Sequence, residues 1–165
     1  MNVDRENEDS VQDESLEKIK NIFLSDHQLF CDMGFTAKHI RKGYAELVSP
    51  YNPVFTDQNG AMHRGLLVTL ADTACGLAVF SALGQFAPIA TVDLRVDYAD
   101  CVGYGQDLEA RIHCEFMGRG AAHVRGDVVT TGGGLLSKVV ARVSGIFAVN
   151  TPGKSFDEDD QEQKK

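Results

Sequence analysis

The sequence predicts an α+β fold in which an antiparallel sheet of about six strands wraps around one long central helix. Between Gly65 and Val92 the only formally charged side chain is Asp72, and so long an uncharged run in a soluble protein must be buried nearly all round. After this run, apolar and polar residues alternate in four successive segments, which is typical of half-buried strands. A helix buried on every side and a sheet with one apolar face fit together if the sheet curls around the helix.

The length and composition fit one domain with polar ends. With 165 residues and 43% apolar content, the chain can bury one core and is too short for two. Residues 1–14 and 151–165 are acidic and have few apolar side chains, so we expect disordered tails around a domain at 15–150. The net charge of -8 argues against nucleic acid as a partner.

The N-terminal residues and the cysteines both favour a cytoplasmic protein. The first residues are acidic and lack the apolar core of a secretion signal. The four cysteines are widely spaced and form no CxxC pair; they are Cys31, Cys75, Cys101 and Cys114. We therefore expect reduced thiols in the cytoplasm.

The elements before the central helix are short. Ser15 is placed to cap a first helix, in which Leu16, Ile19, Ile22 and Phe23 recur at helical spacing. Two short strands are predicted at about 34–41 and 43–49, with a turn near Lys42-Gly43. The central helix is predicted at 63–83, because helix-forming residues dominate there and the run ends at Gly84 with Pro88 shortly beyond.

Four strands follow the helix. In the first, the apolar set Val92, Leu94, Val96 and Tyr98 alternates with the polar set Thr91, Asp93, Arg95 and Asp97. In the second, at 107–116, Glu109 belongs to the polar set, and the third and fourth are predicted at 121–131 and 135–149. Glycines at 117–120 and 131–134 are expected to supply the positive φ that tight hairpins require, which makes the sheet antiparallel.

A membrane span is the alternative for the central run, because residues 66–86 are long enough to cross a bilayer. The run carries Asp72, whose charge is costly in lipid, and it has no flanking Trp or Tyr belt. We therefore expect no membrane partner.

The segment DQNGAMHRGLLVTLAD at 57–72 resembles the signature of hot-dog thioesterases of the phenylacetate-degradation (PaaI-like, 4-hydroxybenzoyl-CoA thioesterase) superfamily. In that family a turn containing Gly leads to His-Gly-Gly, a helix begins, and an acidic residue follows two turns later. The resemblance extends over about 35–149, since the strand IATVDL at 89–94 and the Gly118-Arg119 hairpin also match. It implies the hot-dog fold and hydrolysis of acyl-CoA thioesters, with coenzyme A as part of the substrate and no other cofactor.

The resemblance also implies roles for single residues. Asp72 is the nucleophile or general base, and the backbone N–H groups of Arg64 and Gly65 polarise the thioester carbonyl. Elementary physics agrees, because a helix start offers unpaired N–H donors and a poorly solvated carboxylate is reactive. His63 fixes the turn or positions the carbonyl, and Thr91 orients the water or the carboxylate.

Each of these residues also has a purely structural interpretation. Asp72 could hydrogen-bond a neighbouring strand or a partner subunit, His63 could be a helix cap, and Thr91 could be an ordinary polar strand residue.

Two residues depart from the family motif. Arg64 stands where a Gly is usual, and Asp57 stands where relatives have an Asn, for which Asn59 could compensate. For substrate binding, Arg119 and Gly120 match the hairpin that lies near the phosphates or pantetheine of the coenzyme.

Other kinds of site are not supported. The glycine clusters lack the order of a phosphate-binding loop, and the histidines have no partner at metal-ligand spacing, so we expect no metal. Two other functions stay open on the same fold: a non-catalytic acyl-CoA binding module, and a dehydratase, whose typical turns are absent. We expect at least a homodimer formed edge to edge with an active site shared between protomers, and a homotetramer made as a dimer of dimers.

Overall fold

The computed structural model describes residues 27–85, 87–132 and 137–150. In chain order the elements are α1 (Gln28–Met33), β1 (Thr36–Arg41), β2 (Tyr44–Ser49), a 3-10 turn (Pro53–Phe55), α2 (Arg64–Leu83), β3 (Ile89–Tyr98), β4 (Asp107–Met117), β5 (Ala121–Thr131) and β6 (Lys138–Val149). The long helix and the six strands match the predicted elements closely. The predicted helix after Ser15 lies outside the described residues, and α1 and the 3-10 turn were not predicted.

The six strands form one sheet in the order β1-β2-β4-β5-β6-β3, and every neighbouring pair is antiparallel. Strands that follow each other in sequence pair as hairpins, except that β3 crosses to the far side and pairs with β6. The predicted antiparallel sheet is therefore confirmed. In the described part of the chain β3 is an edge strand, with β6 as its single neighbour.

Helix α2 fills the concave side of the sheet. Its residues are apolar on every face because the sheet covers most of its circumference, and Leu70, Ala71, Ala74 and Leu77 are fully buried. The helix ends at Gly84, which adopts φ 70° and donates its N–H to the carbonyl of Phe80. Although α2 is long and apolar enough to cross a membrane, most of it is buried inside this fold.

Strand β3 departs from the strict alternation that its sequence predicts. The register with β6 shifts between Thr91 and Asp93, so that Val92 is the extra residue of a β-bulge. Val92 was predicted on the apolar face and is instead 65% exposed. Leu94 and Val96 still pack against the core, and because the bulge inserts one residue, Thr91 comes to share their face.

The outer face of the sheet is charged, and its charges alternate across the strands. One row runs through five strands as Glu46, Arg111, Asp127, Arg142 and Asp97, each opposite the next in register. Such opposite-charge neighbours stabilise a sheet in the register that pairs them. An open concavity of about 870 Å³ lies on this face, lined mostly by charged side chains.

Glu109 also lies on the outer face, but it is buried, contrary to the prediction that it belongs to a solvated polar set. Its carboxylate accepts hydrogen bonds from Lys38 Nζ at 2.8 Å and Arg111 Nε at 2.5 Å, and its side chain is 2% exposed. Burial alone raises the pKa of Glu109, but these two hydrogen bonds and positive charges outweigh it and hold the pKa below its usual value.

The hairpin glycines were predicted only in part. Gly43 and Gly132 have positive φ, as the turns after β1 and β5 require. Gly118 and Gly120, between β4 and β5, do not, because this hairpin closes with an N–H of Gly118 on the carbonyl of Ala121 without left-handed backbone.

Candidate active site

Asp72 lies in the third turn of α2 and is half-buried, beside the fully buried residues of the same helix. Its Oδ1 accepts a hydrogen bond of 2.9 Å from the hydroxyl of Thr91 on β3. The bulge at Val92 makes this contact possible, because Thr91 would otherwise point to the outer face of the sheet. The structure thus brings together two residues that the sequence placed on different elements.

The thiol of Cys75, one turn after Asp72, is fully buried. Burial and, second, the negative charge of Asp72 raise the pKa of this thiol. Cys75 therefore stays protonated and acts as a small core residue beside the carboxylate.

The start of α2 is capped by His63. Its Nδ1 accepts the N–H of Gly65 at 3.1 Å, and its backbone N–H donates to the carbonyl of Phe55 at 2.8 Å. In the described part of the chain, the N–H of Arg64 has no acceptor. Of the two donors that the resemblance assigns to the thioester carbonyl, the N–H of Arg64 is therefore open and the N–H of Gly65 is engaged by the cap.

Gly65 is required by this cap. A Cβ at position 65 would lie 2.9 Å from His63 Nδ1, closer than side-chain carbons normally approach. The backbone of Gly65 is also exposed, so a ligand can reach it. Glycine is therefore the residue that fits two positions after His63, because it leaves room for the capping side chain.

The loop before the helix is built around Asp57. Its Oδ1 accepts the N–H groups of Asn59 at 2.8 Å and Ala61 at 3.0 Å, and its own N–H donates to the carbonyl of Ala61. Gly60 completes the turn with φ 76°. Because these bonds need only an acceptor, a carboxylate serves this loop as well as an amide oxygen would. The described contacts of Asp57 are thus those of a residue that shapes the loop.

A cavity of about 330 Å³ adjoins the helix start, between this loop, the first turn of α2 and the residues that follow β3. Met62, Leu67 and Val102 provide apolar surface, and Arg64 and Tyr98 lie at its side. The guanidinium carbon of Arg64 lies 4.7 Å from the centre of the Tyr98 ring. Neither Asp72 nor Thr91 lines the larger concavity on the outer face of the sheet, because both lie on the side of the sheet that faces the helix.

The candidate residues fall into two groups within one chain. Asp72 and Thr91 form one group, and His63, Arg64 and Gly65 form the other. Gly65 and Asp72 lie on the same side of α2, seven residues apart, which corresponds to a rise of about 10 Å. The structure does not bring the helix start into contact with Asp72.

The hairpin with Arg119 and Gly120 lies at the same end of the sheet as Thr91. The residue row that contains Thr91 continues through Phe147 to Ala122, two residues after Gly120 of the hairpin. Two strand spacings, about 10 Å, separate Ala122 from Thr91. Arg119 is exposed, and its backbone carbonyl accepts a hydrogen bond from the side chain of Asn150.

Residues 59–137 match the model of the thioesterase superfamily. The chain contains a thioesterase superfamily domain. This domain holds both groups of candidate residues, from Asn59 through the helix start and Asp72 to Thr91 and Arg119.

One relative of this thioesterase domain is a protein from Halobacterium salinarum named "Putative esterase". It is 38% identical in an alignment of 81 residues that covers 46% of this chain and 54% of the relative. The chain therefore spans about half the length of that protein.

Solved structures share the fold. A variant of the phenylacetic acid degradation protein PaaI from Thermus thermophilus is 28% identical, with a TM-score of 0.64 over 74% of this chain and 98% of that one. A hypothetical thioesterase from Streptococcus pneumoniae, solved with coenzyme A, is 20% identical, with a TM-score of 0.61 over 70% of this chain and 84% of that one. These neighbours confirm the predicted hot-dog fold.

Sequence reasoning missed two features of the site. It placed Tyr98 on the core face of β3, whereas the structure places it 40% exposed under Arg64. It also did not predict the bulge that aims Thr91 inward. Tyr98 ends an alternating strand and Val92 fits the alternation, so the sequence pattern carries no signal for either feature.

Proposed function

We propose that this protein hydrolyses acyl-CoA thioesters to a free acid and coenzyme A. The observation that carries the proposal is the half-buried carboxylate of Asp72, hydrogen-bonded by Thr91 at 2.9 Å within a thioesterase domain. A structural neighbour solved with coenzyme A makes CoA esters the first substrates to test. We place the reaction in the cytoplasm.

The proposed chemistry needs only water besides the thioester. A thioester is an activated acyl donor, so one carboxylate and an oxyanion site suffice. Asp72 either removes a proton from the attacking water or attacks the carbonyl carbon itself, which forms an anhydride that water then opens. In both routes the carbonyl oxygen becomes an oxyanion, the carbon–sulfur bond breaks, and the thiol of coenzyme A takes up a proton.

The N–H of Arg64 is the proposed first oxyanion donor, because it points outward from the helix start and has no acceptor among the described residues. The N–H of Gly65 is the second donor and would be shared between His63 Nδ1 and the substrate oxygen. Removal of one such donor in acyl-transfer enzymes typically costs about a hundredfold to a thousandfold in turnover.

We further propose that each active site combines two copies of the chain. Direct attack requires Asp72 within about 3.5 Å of the carbonyl carbon, while the carbonyl oxygen lies about 3 Å from its donors. A rise of about 10 Å along one helix separates these groups too widely. A homodimer that pairs the open edges of two β3 strands would bring the helix start of one copy towards Asp72 of the other, and two dimers could form a tetramer.

The hairpin with Arg119 and Gly120 is the proposed contact for the phosphates or pantetheine of coenzyme A. It is exposed at the same end of the sheet as Thr91. Asn59 lies in the loop before the helix start, beside His63, Arg64 and Gly65. In the proposed dimer it would face the same substrate from the second copy.

The test measures free-thiol release from short, medium, long-chain and aromatic acyl-CoAs with the native protein, Asp72→Asn and Asp72→Ala. We expect activity with at least one ester and a loss of about a hundredfold or more in both variants. Asp127→Asn is the matched control, because it removes one charge from an exposed position on the outer face of the sheet. Native activity with none of the esters, or full activity of both Asp72 variants, would contradict the proposal.

A non-catalytic acyl-CoA binding module is the alternative on the same fold. It predicts that the native protein binds acyl-CoA in calorimetry but releases no thiol, and that Asp72→Asn weakens binding. The proposed enzyme instead requires turnover, so the two functions are separated by the same set of variants.

A further inference from the structure

We propose that Arg64, held against Tyr98, determines substrate specificity by binding an anionic oxygen group of the thioester substrate in the cavity beside the helix start. The inference rests on the proposed thioester hydrolysis and adds the substrate class to it. The anionic group is either a carboxylate on the acyl chain or a phosphate of coenzyme A, since both offer the same oxygen acceptors.

The geometry of Arg64 is suited to anion binding. Its guanidinium lies over the Tyr98 ring, with Cζ 4.7 Å from the ring centre, and the two form a cation–π stack. The N–H groups point outward in the plane of the guanidinium and stay available for a two-point contact with a carboxylate or phosphate. The stack fixes the side chain before the ligand arrives, which lowers the entropy lost on binding.

Arg64 is also the cation of this cavity that lacks a carboxylate partner. In the described ranges no Asp or Glu oxygen lies within 4 Å of its guanidinium, whereas the two carboxylates that line the same cavity are engaged elsewhere. Asp57 accepts two N–H groups of its own loop, and Asp100 pairs with Lys138 at 2.5 Å. A positive charge beside an apolar cavity of about 330 Å³ favours a ligand that is small, partly apolar and negatively charged.

The test compares four substrates that differ in acyl charge and in carrier. Butyryl and succinyl groups supply a neutral and a carboxylate-bearing acyl chain, and coenzyme A and N-acetylcysteamine supply carriers with and without phosphates. Native protein and Arg64→Gln are measured with each. If the phosphate is recognised, Arg64→Gln raises KM about tenfold to a hundredfold more for both CoA esters than for both N-acetylcysteamine esters.

If the acyl carboxylate is recognised, Arg64→Gln raises KM more for both succinyl esters than for both butyryl esters, whichever carrier is used. Either pattern supports the inference and identifies the source of the anion. Equal loss with all four substrates, or no loss with any, overturns it. Arg125→Gln serves as the control for net charge, because Arg125 is exposed on the outer face of the sheet.

Tyr98 is a positioning residue in this proposal. Tyr98→Phe keeps the ring and should keep the discrimination between charged and neutral substrates. Tyr98→Leu removes the ring and should lose this discrimination. The loss should appear in KM for the recognised substrates, while kcat for the butyryl esters should change far less than that KM. If both Tyr98 variants discriminate as the native protein does, the stack has no part in recognition.

Binding of coenzyme A and of succinate, measured by calorimetry, separates this inference from the proposed function. If the native protein hydrolyses no thioester but Arg64→Gln weakens binding of one probe at least tenfold, thioester hydrolysis fails and the anion site stands. If Arg64→Gln binds both probes as tightly as the native protein does, and if its KM for every thioester is also unchanged, the anion site is wrong. This conclusion holds whether or not the protein hydrolyses thioesters.

Discussion

At the scale of single residues, backbone and side chain of Arg64 have separate proposed roles. In the proposed mechanism the backbone N–H binds the oxyanion, while the guanidinium contacts Tyr98. His63 before it is extended, with ψ 129°, and Arg64 is the first helical residue. That is the position where a proline fits a helix without loss of an intrahelical hydrogen bond, and where the preceding residue already has the backbone that proline prefers.

Arg64→Pro should therefore delete the oxyanion donor without loss of the helix. We expect kcat to fall about a hundredfold to a thousandfold relative to Arg64→Ala, which lacks the same side chain but keeps the N–H. Unfolding by urea should give the two variants similar free energies of unfolding. Equal kcat values for Arg64→Pro and Arg64→Ala would show that this N–H does not bind the oxyanion.

At the scale of elements, the bulge in β3 decides what Thr91 contacts. If Val92 took a regular place in the ladder with β6, Thr91 would lie on the outer face of the sheet, away from Asp72. Bulges near active sites commonly re-aim a side chain in this way. Thr91 thus reaches the carboxylate because the exposed Val92 stays outside the ladder.

Loss of the Thr91 hydroxyl should cost activity, whereas deletion of Val92 should not, because Thr91 would then directly precede Asp93 and keep its place opposite Phe147. We expect Thr91→Val to lower kcat/KM about tenfold to a hundredfold, because it removes a hydrogen bond to a charged group, and the Val92 deletion to retain most activity. Thr91→Ser keeps the hydroxyl and should retain most activity. Val92→Thr, an exposed change that keeps the bulge, is the control, and a cooperative melt checks that the shortened strand folds.

The sequence predicts those parts of the fold that depend on periodicity, and it does not predict those that depend on register or on partners distant in sequence. The buried helix and the six strands follow from periodicity, because each apolar face must meet another. A bulge adds one residue without altering composition, so Val92 fits the alternation as an inward residue although it is exposed. Glu109 likewise fits the polar set, and only its partners Lys38 and Arg111 explain its burial. The site motif at 57–72 could be recognised in the sequence. The contact of Thr91 with Asp72 could not be predicted, because it depends on the register between β3 and β6.

The Glu109 network should make stability depend on pH. Because its pKa is lowered in the folded protein, Glu109 contributes stability above the usual pKa of glutamate, and this contribution is lost as pH falls through the folded value. We expect Glu109→Gln to cost about 1.5–3 kcal/mol of unfolding free energy at neutral pH. The difference between native protein and Glu109→Gln should shrink between about pH 5 and pH 3, measured by urea unfolding.

Asp127→Asn is the matched control for Glu109, since Asp127 also pairs with an arginine on the outer face but is 46% exposed. An exposed pair contributes about 0–1 kcal/mol, so this variant should shift stability little at any pH. A difference for Glu109→Gln that stays constant down to pH 3 would show that the charge of Glu109 is not the source of its contribution.

At the scale of the whole molecule, one chain holds all the candidate residues but not one assembled site. Asp72 and Thr91 lie about 10 Å along the helix from the N–H groups at its start. A water molecule between them could bridge this gap in one chain, whereas direct attack by Asp72 requires a second copy. The two arrangements predict different behaviour when inactive variants are mixed.

Asp72→Asn and Arg64→Pro should complement each other if the site is shared. In a mixed dimer, one site combines Asp72 of one copy with the intact helix start of the other, and the second site carries both defects. Random exchange in an equal mixture gives half mixed dimers, so we expect about a quarter of native activity per chain. Exchange by dilution from mild denaturant and thiol release measure this. A mixture no more active than its components would place each site within a single chain, because neither variant could then supply the group that the other lacks.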